Sequence, residues 1–257
     1  MPEMRADEFS KMRSLEVTNW WFRGRRYLLR GLIRKLGIGD GMILDAGCGT
    51  GFAGTELCKA GTVIGLDASE AALAGSGAEL ARCCVATIQH TPFAADAFDL
   101  IVAMDVLEHL EDESPALKEL RRICKPGGSL FVTVPAYRCL WSKHDEALGH
   151  HRRYSAAEIA ERIRAAGFEV RKSSYLVTSV FPIAALYRAF RRGFGRESGG
   201  KTDLFPVPEP FNALLSLLMR MESWLAWHAK LPFGLTAVVL ARKPESADST
   251  SPEESRG

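Results

Sequence analysis

The sequence predicts a doubly wound α/β domain built on a parallel sheet. Two observations carry this: short apolar runs alternate with helical stretches between residues 42 and 134, and a glycine-rich turn sits between the first run and the helix after it. Strands that alternate with helices call for a parallel sheet covered on both faces. Ligands of such sheets lie at the carboxyl ends of the strands.

The elements follow in order. Residues 6–36 read as helix, with an aromatic cluster at Trp20, Trp21 and Phe22, then Arg23, Arg25 and Arg26, then an apolar stripe at helical spacing. Strands are expected at 42–45, 62–67, 83–87, 98–104, 129–134, 168–175 and 235–241. Helices are expected from the glycine turn through about 59, at 69–81 with Ser69 as cap, around 115–124, and at 155–166, where Ser155 and Glu158 form a capping box. Residues 125–128, Lys-Pro-Gly-Gly, read as a turn.

The domain plan is therefore an N-terminal helical segment (1–40), a core (41–175 and 235–243), a helical insertion or cap (176–234) and a polar tail (244–257) expected to be disordered.

Composition narrows the classes. The 257 residues carry a formal net charge of only +2, so no global basic field argues for nucleic acid. The six cysteines form no C-x-x-C pair and have no zinc-like spacing with histidine, so reduced thiols and no metal are expected. No apolar h-region and no run of ~18 apolar residues occurs, so a cytoplasmic protein is expected.

The glycine turn, Asp45-Ala-Gly47-Cys-Gly49-Thr-Gly51, follows a strand and opens a helix. Its glycines let a ligand lie against bare backbone, and the helix N-terminus offers unpaired N–H groups to an anion. Asp67 ends the next strand, where a carboxylate can accept hydrogen bonds from both hydroxyls of a ribose. A nicotinamide dinucleotide would use the same features. Two details favour S-adenosylmethionine: Phe52 stands where the dinucleotide fingerprint has its third glycine, and Asp45 would attract an ammonium but repel a pyrophosphate.

Residues 43–51, ILDAGCGTG, resemble motif I of the class I methyltransferases. Asp67 within 65–69, Pro92-Phe93 before the strand at 98–104, Val106-Leu-Glu-His109 and Lys125-Pro-Gly-Gly128 match further signposts in register. The resemblance implies a seven-stranded fold with a reversed final strand, and S-adenosylmethionine as cofactor. It implies cofactor contacts from Asp45, Gly47, Gly49, Gly51, Asp67, Ala68, Thr87, Ile88 and Met104. Many relatives hold the adenine amino group with an acid after the third strand, where this chain has Thr87; Ile88 would pack on the adenine face.

Residues 140–154 form the most unusual stretch, with His144, Asp145, His150, Arg152, Arg153 and Tyr154 in one loop. An H-D…G-H-x-R-R-Y pattern here, paired with a W-W-F-x-x-R-R segment like 20–26, also recurs in a bacterial subgroup of these enzymes. His144 is the first candidate for general base, with His109 and His150 as alternatives. Arg152 and Arg153 would hold an anionic substrate group, with Tyr154 and Trp21 beside it. The competing reading is that Arg152, Asp145 and Tyr154 lock the loop.

The expected activity is methyl transfer to oxygen, nitrogen or carbon of a small-molecule or lipid-linked acceptor. Nucleic acid is disfavoured, since no N-P-P-Y-like motif follows the fourth strand. The Trp, Phe, Leu and Arg content of 176–234 raises peripheral membrane contact. A fold-retaining regulatory protein that binds the cofactor without catalysis, and a nicotinamide-dependent oxidoreductase, are the rival classes.

Overall fold

The computed structural model describes residues 15–74, 82–193 and 207–245, and of the side chains in the last helix before 194 it describes only part. Within these, seven strands form one sheet: β1 (Gly41–Ala46), β2 (Gly61–Asp67), β3 (Cys83–Val85), β4 (Phe98–Met104), β5 (Cys124–Pro135), β6 (Glu169–Leu176) and β7 (Thr236–Arg242). Their order is β3-β2-β1-β4-β5-β7-β6. The first five run parallel, and β7 pairs antiparallel with both β5 and β6, which is the expected reversed final strand. The switch point falls between β1 and β4, so the loops leaving those strands frame the cleft.

The central strands are apolar through their middles because both faces are covered there. Ile43, Leu44, Leu100, Ile101, Val102, Leu130 and Phe131 are all fully buried. Each such side chain stabilises the fold by roughly 1.5–3 kcal/mol. The helices are α1 (Trp20–Leu36), α2 (Gly54–Leu57), α3 (Glu70–Ala74), α4 (Ser114–Ile123), α5 (Lys143–Ala147), α6 (Ala156–Ala165), α7 (Phe181–Gly193) and α8 (Glu209–His228).

Three expectations change. The first helix is not continuous: residues 15–18 are helical, and Asn19 then interrupts. The Asn19 side chain accepts the Trp21 N–H (2.9 Å) and so starts α1 as its cap. The helix expected after the glycine turn is one short element, α2, followed by turns. Lys125-Pro-Gly-Gly128 does not separate a helix from a strand; it lies inside β5. The register shifts there between Phe98 and Leu100, and Gly127, at φ +75°, donates to Lys243 O (2.9 Å), so the edge is a bulge. Both proposed caps at Ser69 and Ser155 are present (3.2 and 3.1 Å). The start of the first expected helix (6–14), residues 75–81 and the tail from 246 lie outside the described residues, as do the side chains of Arg191 and Arg192.

The stretch between β6 and β7 contributes α7 and α8, and α8 packs on α1. Two glycines of α1 allow the close approach. A Cβ on Gly24 would meet Met219 Cε at 2.5 Å, and one on Gly31 would meet the Trp227 ring at 2.3 Å. Trp227 Nε1 donates to Leu28 O (3.1 Å) and Ser223 Oγ to Gly24 O (3.2 Å). At the front of α1, Asn212 accepts from Trp20 N (2.8 Å) and donates to Thr18 O (2.9 Å). The N-terminal helix is thus clamped over the sheet by a helix almost two hundred residues away. Among the described residues no helix is long and apolar enough to cross a membrane.

Candidate active site

The turn after β1 is held open by its own backbone. Gly47, Gly49 and Gly51 all have positive φ (+76°, +53° and +83°), a region that penalises a side chain. The reasons differ along the turn. A Cβ on Gly47 would strike Val106 Cγ2 at 2.3 Å, so the loop after β4 rests directly on the glycine turn. A Cβ on Gly49 would meet nothing within 4 Å, which leaves that backbone facing open space.

Asp67 closes this turn. Its Oδ2 accepts the Gly49 N–H (2.8 Å) and its Oδ1 the Ser69 N–H (2.9 Å). Each oxygen keeps a second lone pair for a ribose hydroxyl. Ala68 is exposed beside it. Asp45 is buried at the end of β1, and its Oδ2 accepts no hydrogen bond. Burial, then the nearby Asp67 charge, pushes its carboxyl up to about 7, against the pull of Arg25. A ligand ammonium is what such an orphaned acid lacks, so these residues fit the amino-acid end of S-adenosylmethionine. On the other side of the turn Thr87 is exposed and forms a one-bridge turn with His90, while Ile88 is buried under it.

The N-terminal segment covers this end. Thr50 Oγ1 donates to the buried Glu16, and Phe22 packs edge-on against Phe52 (5.1 Å) where a dinucleotide fold would have its third glycine. Trp21 and Met104 line one apolar crevice together with Arg25 and Thr133. Arg25 ion-pairs with Asp105 and donates to Thr133 Oγ1 (3.1 Å), which in turn donates to Asp105 Oδ1 (3.0 Å). Asp105 itself sits at φ +55°. Sequence reading singled out neither Arg25 nor Asp105 as a site residue. The only signal was the basic run after the tryptophans.

At the far end of the cleft the loops after β4 and β5 meet. Leu107–His109 is a 3-10 turn. His109 and His150 pack edge to face with centroids 4.7 Å apart. His150 Nδ1 bonds Asp145 Oδ1 (3.0 Å), and Arg153 Nε donates to the same oxygen (2.7 Å). Asp145 Oδ2 accepts the Ser142 N–H (2.8 Å) at the start of α5. Burial pushes the Asp145 carboxyl up, but these bonds from His150 and Arg153 overcome it and hold it well below the usual carboxylate range. Burial and the neighbouring His150 lower His109 to about 4.

The structure thus separates the loop's residues. Arg153 is buried, bound to Asp145 and Ala136 O (3.1 Å). Arg152 pairs with the buried Glu113 (3.1 Å), as does Arg162, and the Tyr154 hydroxyl reaches Leu107 O (3.3 Å) and Glu113 (3.4 Å). These groups tie the loop to the sheet. His144 lies on α5, one residue before Asp145, while His150 and His109 share the cluster.

A cavity of about 510 Å³ lies elsewhere. It runs between α1 and α8 and is lined by Tyr27, Arg30, Arg34, Lys35, Arg220 and Trp224. The cleft at the strand ends is the site with the chemistry, because the orphaned acid and the open glycine backbone are there.

Comparison with known proteins agrees with this geometry. Residues 44–132 match the family model of the methyltransferase domain. A probable S-adenosylmethionine-dependent methyltransferase of Mycolicibacterium smegmatis is 32% identical over 161 residues, which cover 61% of this chain and 62% of that protein. The demethylmenaquinone methyltransferase of Mycobacterium marinum is 36% identical over 130 residues, covering 50% and 53%. The chain spans about six-tenths of the length of the first of these curated relatives. In fold, it resembles a chain of the complex between the Haloferax volcanii Trm112 methyltransferase activator and a methyltransferase, with TM-score 0.60 and 18% identity over 95% of this chain and 100% of that one. With a methyltransferase-domain match over residues 44–132 and this sheet order, the chain is similar to the S-adenosylmethionine-dependent methyltransferases.

Proposed function

We propose that this chain moves a methyl group from S-adenosylmethionine to a small-molecule or lipid-linked acceptor. The observation that carries the reading is the buried, unpartnered Asp45 Oδ2 beside the open Gly49 backbone and Asp67. Asp45, Gly47, Gly49 and Gly51 would hold the amino-acid end, Asp67 and Ala68 the ribose, and Thr87 and Ile88 the adenine. Once bound, the group supplies an electrophilic methyl on a sulfonium. Met104 and Trp21, with Arg25, would line the passage to the acceptor.

The protein's own work is then to align the acceptor and manage its proton. His109 and His150 are the residues for this, and Asp145 orients the His150 ring. Arg152, Arg153 and Tyr154 act by holding the loop in place. The kinship with a demethylmenaquinone methyltransferase supports a hydrophobic acceptor. Calorimetry with S-adenosylhomocysteine tests the cofactor half. Transfer of labelled methyl from S-adenosylmethionine into lipid or aqueous extracts tests the acceptor half. Binding without any transfer would favour a regulatory protein instead.

One further observation favours contact with a membrane surface. Ile183, Leu186 and Phe190 on α7 are 72%, 73% and 61% exposed, and Phe211, Met221 and Trp224 on α8 are 64%, 60% and 60% exposed. The basic cavity of Arg30, Arg34, Lys35 and Arg220 lies next to the Trp224 end of α8. An apolar stripe beside basic side chains suits an anionic lipid interface. Flotation with anionic vesicles checks it: co-flotation that Trp224→Glu abolishes is expected, and no flotation of the wild type removes the reading.

A further inference from the structure

One costly feature among the described residues is a buried acid whose carboxylate accepts no hydrogen bond. Glu108 is inaccessible, and neither of its carboxylate oxygens has a hydrogen-bond partner. Such burial costs several kcal/mol unless the charge is neutralised or coordinated. The guanidinium groups near it, Arg25 and Arg153, are engaged by Asp105 and Asp145. What does face Glu108 is a pair of imidazoles. Ligand atoms of Glu108, His109 and His150 all lie within 4.8 Å of one another.

The His150 imidazole is also held from behind: its Nδ1 bonds the Asp145 carboxylate. With one ring nitrogen engaged, the other is left to carry a lone pair. Ligating histidines are typically supported in this way, by a carboxylate or a backbone carbonyl. Asp145 is itself fixed by Arg153 and Ser142, so the support is rigid.

We propose that Glu108, His109 and His150 bind one divalent transition-metal ion of the zinc class, and that this ion serves the methyl acceptor. Zinc takes nitrogen and carboxylate ligands at ~2.0–2.2 Å, which asks the three donors to draw in to roughly 3–3.5 Å from each other. Two histidines and one carboxylate leave at least one position open. The site lies on the loop that rests against the glycine turn through Val106, at the carboxyl ends of the strands. This extension rests on the methyltransferase reading and narrows the acceptor to an alcohol or phenol. A cation at that position lowers the pKa of the acceptor hydroxyl, whose proton leaves to water. The oxygen then forms its bond to the methyl carbon as the carbon–sulfur bond breaks, and the bonding pair stays on sulfur.

The test is calorimetric titration of chelator-treated protein with Zn²⁺, alongside the absorption spectrum with Co²⁺. A saturable site of one ion per chain is expected, weakened tenfold or more in Glu108→Gln and in His150→Gln. Co²⁺ should show ligand-field bands without a thiolate charge-transfer band. S-adenosylhomocysteine should bind all three proteins alike, which also reports that the variants are folded. Wild type and both variants binding Zn²⁺ equally, no saturable binding at all, or a thiolate band marking a cysteine site would each overturn the proposal. Loss of S-adenosylhomocysteine binding with the metal site intact would instead fell the methyltransferase reading alone.

Discussion

The two ends of the cleft are built in opposite ways. The end proposed for the cofactor is nearly all local: Asp45 through Gly51 are seven consecutive positions, and Asp67 adds one more group from the neighbouring strand. The end proposed for the acceptor is assembled from afar, with Arg25 from α1, Asp105 to His109 after β4, Thr133 from β5, and Asp145, His150 and Arg153 from the loop beyond it. One end depends on backbone conformation and the other on buried charges that satisfy one another. Substitutions should therefore fail differently at the two ends.

The largest effect is expected at the acceptor end. Arg153→Met leaves the fully buried Asp145 without its guanidinium, and removing one partner of a buried pair costs about 3–5 kcal/mol. Urea unfolding should show it, and a loss under 1 kcal/mol would mean that the loop is not locked there. The glycine turn should respond next. Gly47→Ala meets Val106 at a positive φ and should cost roughly 2–3 kcal/mol. Equal stabilities of Gly47→Ala and the wild type would show that the loop after β4 can move away freely.

Smaller effects sharpen the cofactor end. Asp67→Ala should weaken S-adenosylhomocysteine by tenfold or more, about 1.4 kcal/mol, with calorimetry as the check. Asp45 gives a pH dependence whose sign can be worked out. Its carboxyl sits near 7 in the free protein, so below that pH it holds a proton and cannot receive an ammonium. Affinity for S-adenosylhomocysteine should fall by up to tenfold per unit as pH drops below about 7, and Asp45→Asn should flatten the profile. The same shift makes the free fold lose stability as pH rises from 3.8 to about 7, because the native state keeps a proton there that the unfolded chain releases. Gly49→Ala should be the mildest, about 1 kcal/mol from its φ of +53° alone, because open space surrounds it. A thermal melt beside that of Gly47→Ala separates strain from collision.

How much was legible follows the same division. The strand β4 was placed residue for residue, and β2 to within one residue, because apolar runs bounded by turns are local signals. The break at Asn19 was missed, since no glycine or proline marks it between residues 6 and 19 and only the cap geometry reveals it. The bulge at 125–128 was read as a turn, because Pro and two glycines serve either purpose and only the pairing with β4 decides. At the site, the glycine turn with Asp45 was readable as one local motif, with Asp67 at the end of the next strand. His144 was favoured over His150 by its place in the loop, yet Asp145 holds His150.

By itself the sequence determined the alternating architecture, the cofactor turn and the short list of chemically capable side chains, because these depend on periodicity and on backbone conformations that glycine permits. Only the tertiary structure decided which partners those side chains have. It sent Arg152 to Glu113, Arg153 to Asp145 and Arg25 to Asp105, and it set Glu108 beside two histidines. The physical reason is range. A turn's conformation is settled by neighbouring residues, whereas the partner of a buried charge is settled by whichever distant strands the fold brings beside it.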